Sequence, residues 1–168
     1  MKKTILTAIA VVLLACNTTL AQPNDLQAQQ QRVNNIKKTQ QGQTIFRLVE
    51  KYSKQYKVDP AFAHSVILVE SGYNPNAKSP CGAKGLFQMM DGTFYARKVG
   101  NNPYNMEQNI HAGVKHYRGM LDRYKGQHVY ALAAYNVGGA RIIEGKPIPS
   151  YARAYADKVI YYKNGILF

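Results

Sequence analysis

The sequence predicts an all-α domain. Beyond residue 43 the apolar residues recur every three or four positions, as in Ile45, Leu48, Val49, Tyr52 and Tyr56. Almost nothing alternates with period two, the mark of a half-buried strand. Helix start and stop signals bound the periodic runs: Asp59-Pro60 opens one, and Gly72-Tyr73-Asn74-Pro75 and Gly138-Gly139 close two others.

The elements follow in chain order. Met1-Lys2-Lys3 is a short cationic start, and Ile5 to Ala15 then runs almost wholly apolar for eleven residues. That run is too short to span a bilayer comfortably and has the layout of an export signal. Two exits stay open. Thr19-Leu20-Ala21 offers small residues for ordinary cleavage, giving a signal peptide over residues 1–21. Leu13-Leu14-Ala15-Cys16 resembles a lipobox, giving a lipoprotein signal over 1–15 and an outer-membrane lipid anchor on Cys16. Residues 22–43 hold eight glutamines and little apolar period, so they read as a flexible segment or frayed helix ending near Gly42.

The domain proper spans residues 44–168. Thr44 is a plausible N-cap for the first stripe. Asp59 supplies a capping oxygen and Pro60 the first position of a helix that runs to about Ser71. A turn-rich stretch with room for one short hairpin covers Asn76 to Gly85. Asp91 is placed to cap a helix through Val99. Asn105 to Tyr124 carries Ile110, Val114, Tyr117, Leu121 and Tyr124 on one stripe. Val129 to Tyr135 is a compact apolar helix. Residues 149–163 give a last helix with Tyr151, Tyr155, Val159 and Tyr162 in register.

Composition narrows the function. The 168 residues carry 22 Lys and Arg against 9 Asp and Glu, a net charge of +13; loss of Lys2 and Lys3 with residues 1–21 leaves +11. A surface this basic suits an anionic partner such as nucleic acid, acidic lipid or an acidic wall polymer, and export makes nucleic acid the poorest of the three. Cys16 and Cys81 are the only cysteines, which excludes a disulfide-stapled mini-fold and a cysteine-rich zinc module. Histidines 64, 111, 116 and 128 lack metal-ligand spacing, and no glycine-rich phosphate loop is present, so no cofactor is expected.

The candidate chemistry sits at Glu70. In His64-Ser-Val-Ile-Leu-Val-Glu70-Ser71 the helix is apolar nearly all round and belongs in the core. A lone carboxylate at the end of such a helix is costly to ionise, so its pKa rises. A carboxylic acid that keeps its proton near neutrality can act as a general acid on a glycosidic bond. A glutamate paired with a cation, or reaching solvent at the helix end, is the competing explanation from this feature alone.

The surrounding residues sharpen the choice. Glu70-Ser71-Gly72-Tyr73-Asn74-Pro75 is followed by Ala77, Ser79, Gly82-Ala83 and Gly85-Leu86-Phe87-Gln88-Met89-Met90. Asn105, Asn109, Gly113 and Tyr117 come next, then Ala134-Tyr135-Asn136-Val137-Gly138. In order and spacing these resemble the soluble lytic transglycosylase family, whose catalytic domain is related to goose-type lysozyme. The resemblance covers about residues 45–160. It implies a lysozyme-like helical fold with a substrate groove. It also implies cleavage of the β-1,4 bond between N-acetylmuramic acid and N-acetylglucosamine in peptidoglycan, with a 1,6-anhydro end and no added water. Glu70 matches the family's catalytic glutamate, the sole acid and base.

Further residues carry over singly. Ser79 matches a serine that holds the acetamido group or orients Glu70, with a turn cap beside Pro80 as the alternative. Gln88 matches a sugar-binding glutamine and Met90 a subsite residue. Tyr135 would contact the glutamate or the sugar, and Asn136 is a substrate-binding candidate whose alternative role is to hold the loop. Tyr155, a further substrate-binding candidate, matches the tyrosine of a Glu-Thr-Arg-x-Tyr piece, whose Glu-Thr pair is replaced here by Tyr151-Ala152.

None of the other acids, Asp25, Glu50, Asp59, Asp91, Glu107, Asp122, Glu144 and Asp157, has the context of a second catalytic carboxylate. The resemblance thus points to an exported monomer in the periplasm or envelope that acts on peptidoglycan strands. Small members of the family often serve secretion, conjugation or pilus machines. A water-using muramidase and a wall-binding adaptor without turnover are the rival functions.

Overall fold

The computed structural model describes residues 23–168, with side chains from residue 25. The export segment and Cys16 lie outside the described residues. Among these, seven helices occur and no strand: α1 (Pro23–Lys37), α2 (Gln40–Tyr56), α3 (Pro60–Ser71), α4 (Asp91–Ala96), α5 (Met106–Arg123), α6 (His128–Val137) and α7 (Ser150–Gly165). The all-α expectation holds.

The hydrophobic helix α3 lies at the centre. Its residues from Phe62 to Leu68 are all buried. It packs on α2 and α7, while α5 joins α2 to α6 and α6 lies along α7. Asp59 caps it as expected, its carboxylate accepting from Ala61 N at 2.9 Å, and Pro60 takes the first position. Gly72 ends it at φ +55°, the left-handed turn that glycine adopts without strain.

Four expectations are corrected. The glutamine-rich stretch 22–43 is neither loose nor frayed where it is described. Helix α1 carries a sparse stripe of Leu26, Val33 and Ile36, and Val33 is fully buried. Distant partners hold it: Arg32 Nη2 donates to Gly72 O at 2.9 Å, Tyr162 Oη donates to Asp25 Oδ2 at 2.6 Å, and Gln30 exchanges two bonds with the backbone of Leu167.

Thr44 is not the cap of α2. Thr39 is, accepting from Gly42 N at 2.9 Å, and the helix starts a turn earlier because its polar glutamines fall on the solvent side. Asp91 does not cap α4, which ends at Ala96 rather than Val99. It lies in the first turn and takes two bonds from Lys84 Nζ, at 2.8 and 2.7 Å. The hairpin is reduced to isolated antiparallel bridges, Lys78 to Lys84 and Lys84 to Met89.

That bridged loop, residues 77–90, is the fold's main contribution to the site. The side chain of Asn109 on α5, 1% exposed, grips it at two points and ties it to Pro103. Its Oδ1 accepts from Phe87 N at 2.8 Å, and its Nδ2 donates to Lys84 O at 3.0 Å and to Pro103 O at 2.7 Å. Gly113, one turn on, faces the ring of buried Phe87, which a methyl group there would overlap.

Candidate active site

Glu70 sits in the last turn of α3, where the negative end of the helix adds to the cost of a carboxylate. The residue keeps partial contact with solvent, while its carboxyl group lies deep among protein atoms. Burial pushes the pKa up to about 7, against a smaller lowering by one hydrogen bond from Tyr155. Tyr155 Oη donates to Glu70 Oε1 at 2.6 Å. Among the described residues no Lys, Arg or His forms an ion pair with Glu70. The competing idea of a glutamate neutralised by a buried cation therefore fails on geometry.

Tyr135 lies close enough to feel the Glu70 charge, which adds to burial in raising the phenol's pKa. Its hydroxyl donates to Phe87 O at 2.8 Å and approaches Met89 Sδ at 3.6 Å. Phe87 is thus held on both sides, its N–H by Asn109 and its carbonyl by Tyr135. Glu70, Tyr155, Tyr135 and the 87–89 loop form one contiguous cluster built from α3, α7, α6 and the bridged loop.

The other singled-out residues divide. Met90, 48% exposed, follows this loop and opens to solvent at the start of α4. Asn136 is exposed beside Tyr135 near the end of α6. Gln88 has φ +44°, and its Nε2 donates to Ala77 O and Gly85 O at 3.1 and 2.9 Å, so that amide nitrogen ties the loop together. Ser79 Oγ accepts from Ala83 N at 3.0 Å, the turn cap that was its alternative role. Tyr155, matched to sugar binding, spends its hydroxyl on Glu70.

Two residues carry more than their sequence roles. Asn109 was only a spacing marker, yet it clamps the loop; a buried asparagine inside the apolar stripe of α5 is the signal. Tyr155 is the direct partner of Glu70, and no spacing reveals that across 85 positions.

The remaining acids are occupied elsewhere. Ion pairs join Glu107 to Lys51, Asp91 to Lys84, Asp122 to Arg118, Glu144 to Lys125, Asp157 to Arg153 and Asp59 to Lys163. Asp25 holds Tyr162, and Glu50 is exposed on α2. None of these contacts involves Glu70. The histidines meet aromatic partners: Tyr73 Oη is 3.0 Å from His64 Nδ1, Tyr56 Oη 2.7 Å from His111 Nε2 and Tyr117 Oη 2.7 Å from His128 Nδ1, while the His116 ring lies 5.1 Å from that of Tyr135. Cys81 is exposed and free.

The arrangement can hold one proton on Glu70 near neutral pH and release it to an acceptor in front of the carboxyl. Removing the Tyr155 hydroxyl tests this balance. Tyr155→Phe takes away the bond that favours the ionised form, so the pKa of Glu70 moves further up. The alkaline limb of any Glu70-dependent rate profile should shift to higher pH, with the maximal rate about tenfold lower from lost orientation. A pH–rate titration of both proteins measures it; an unmoved limb overturns the assignment.

Comparisons with known proteins bear on the fold and the family. The family described as transglycosylase SLT domain matches residues 47–154. A transglycosylase of Enterobacteria phage PRD1 is 40% identical over 100 residues, covering 59% of this chain and 37% of the phage protein. The membrane-bound lytic murein transglycosylase F of Vibrio cholerae is 34% identical over 117 residues, 66% of this chain and 21% of that one. The chain therefore spans well under half the length of these curated relatives. The 70-kDa soluble lytic transglycosylase of Escherichia coli superposes with a TM-score of 0.63 at 26% identity, covering 70% of this chain and 23% of that one. The lysozyme-like helical expectation is met by this likeness. With the family matching nearly two-thirds of its length, Glu70 and the loop from Phe87 to Met89 included, the chain belongs to the transglycosylase SLT domain family.

Proposed function

We propose that this domain is a peptidoglycan lytic transglycosylase with Glu70 as its only acid and base. One observation carries the reading: a buried carboxyl group whose pKa is raised to about 7, held by a tyrosine and, among the described residues, by no cation. A relative named as a transglycosylase and another named as a lytic murein transglycosylase support the reaction class.

The steps follow from that proton. Glu70 donates it to the oxygen leaving C1 of N-acetylmuramic acid, which breaks the β-1,4 bond. The carboxylate so formed is stabilised by the Tyr155 hydroxyl. It then takes the proton of the muramyl 6-hydroxyl as that oxygen attacks C1, closing the 1,6-anhydro ring and restoring the acid. No second carboxylate is needed to activate water, which suits the ion pairs that occupy six of the other acids. Met90 and Asn136, open to solvent beside the cluster, are the proposed sugar contacts. Gln88 and Ser79 shape the loop that presents them.

The cationic, apolar N-terminus supports export to the periplasm or envelope, through a signal peptide or a lipid anchor on Cys16. The excess of basic residues supports contact with an acidic wall. We place the protein as a monomer that opens the wall locally for an envelope-spanning machine.

Digestion of purified peptidoglycan followed by mass spectrometry of the products tests the reaction. Anhydro-muramyl ends are expected. Reducing ends would establish a water-using muramidase, and intact peptidoglycan would leave a wall-binding adaptor.

A further inference from the structure

A glycan groove needs flat apolar surfaces against which sugar rings can lie, and this chain has no tryptophan to provide them. Five of its thirteen tyrosines are committed to the interior: Tyr52, Tyr73, Tyr117, Tyr124 and Tyr162 are each no more than 5% exposed. Tyr95 on α4 and Tyr151 are the exposed ones, and of these Tyr151 shares a helix with Tyr155. It stands at the second position of α7 and is 38% exposed.

Its place on the helix puts it beside the reactive carboxyl. Tyr151 and Tyr155 are four residues apart, so they share one face, one turn above the other. Long side chains on a helix lean toward its N-terminus, so the group that Tyr155 touches lies over the turn that begins at Tyr151. That group is the Glu70 carboxyl. The register is fixed from behind, because Ala152, Ala156 and Val159 are fully buried and cannot rotate outward. Tyr151 therefore stands one turn of α7 from the side chain that holds Glu70, while the exposed side chain of Met90 stands at the end of the loop that carries Phe87 and Met89.

We propose that Tyr151 is a stacking platform for the pyranose ring next to the bond that Glu70 protonates, at the position of the glutamate in the Glu-Thr-Arg-x-Tyr piece that this segment resembles. The inference rests on the proposed glycan substrate. A ring face binds the apolar C–H face of a sugar through buried area and dispersion, and an acid at this position would bind through hydrogen bonds instead. The exchange favours ring contact over polar contact at one subsite. Tyr151 does not hold the reacting proton, so its removal acts on binding.

The test separates binding from turnover. In the full chain carrying Glu70→Gln, the affinity for a tetramer of N-acetylglucosamine is measured by calorimetry with Tyr151, Tyr151→Phe and Tyr151→Ala. The alanine variant should bind about 3- to 10-fold more weakly, and the phenylalanine variant, which keeps the ring, should recover most of that loss. With Glu70 intact, Tyr151→Ala should raise KM on peptidoglycan by a similar factor and change kcat less than twofold, at an unchanged melting temperature.

Equal affinity of Tyr151→Ala and its parent overturns the platform. So does a phenylalanine variant as weak as the alanine one, which would assign the effect to the hydroxyl. If the tetramer binds in a Tyr151-dependent way but peptidoglycan is never cleaved, the platform stands and the transglycosylase reading falls. A protein that neither binds nor cleaves glycan overturns both.

Discussion

Glu70→Gln is expected to lower the rate of peptidoglycan cleavage by about 10²–10⁴-fold while the fold persists. Glutamine fills the same space and still accepts the Tyr155 hydroxyl bond, but it has no proton to give. The parent should lose activity above about pH 7, roughly tenfold per pH unit, as Glu70 ionises before substrate arrives.

Stability carries an independent signature of the same proton. The folded pKa lies above the ordinary 4.5, so the folded chain holds the proton where the unfolded chain has lost it. The contribution of Glu70 to stability is therefore full below about pH 4.5 and declines as pH rises to about 7, then stays level. The decline is on the order of 3 kcal/mol, which at this chain length moves the melting temperature by roughly 5–10 °C. The glutamine variant lacks this slope, so it should gain on the parent through that window. Melting scans of both proteins from pH 4 to 8 give the comparison. Parallel curves, or a variant that digests peptidoglycan at the parental rate, remove Glu70 from its role.

Asn109→Ala is the substitution expected to cost the most stability. It leaves the Phe87 N–H and the Pro103 carbonyl without a partner in a dry interior, while the Lys84 carbonyl loses one bond and keeps that from Met89 N. Two orphaned groups at about 1–3 kcal/mol each and one lost hydrogen bond at about 1 kcal/mol, partly relieved by relaxation, give a loss of about 3–5 kcal/mol. That corresponds to roughly 10 °C or more in melting temperature. Urea unfolding measures it directly, and a loss below 1 kcal/mol would mean that the loop stands without the asparagine.

The helices that could be read from the sequence were those with local signals. Asp59-Pro60 and Gly72 bracket α3 within a dozen residues, and Asn105 caps α5 by accepting from Gln108 N. The errors share a cause. The start of α2 was set at the first apolar residue, although its first turn is polar by design of the fold and is capped by Thr39. Helix α1 carries too few apolar residues to show a period, and its anchors, Gly72, Tyr162 and Leu167, lie 40 to 137 positions away. A sequence pattern cannot register such contacts.

The site shows the same division. Glu70 stood out because an acid in an apolar helix is locally anomalous. Its partner Tyr155 looked like any other tyrosine on a core stripe, and the family likeness pointed toward sugar and not toward the bond its hydroxyl gives Glu70. Ser79 and Gln88 were chosen by motif, and both turn out to bind their own loop. Polar side chains near a motif are as apt to hold the backbone in shape as to meet a ligand, and only the three-dimensional partners tell which.

The double grip on Phe87 bears on how the loop beside Glu70 meets a guest. The two peptide units that flank this residue are tied to two separate helices, so the loop cannot yield in one direction without breaking a bond in the other. A wall so fastened imposes its contour. Whatever bending or ring pucker a polymer must adopt to lie there is then undergone by the polymer, and a stiff, crosslinked strand should enter more reluctantly than a slack one.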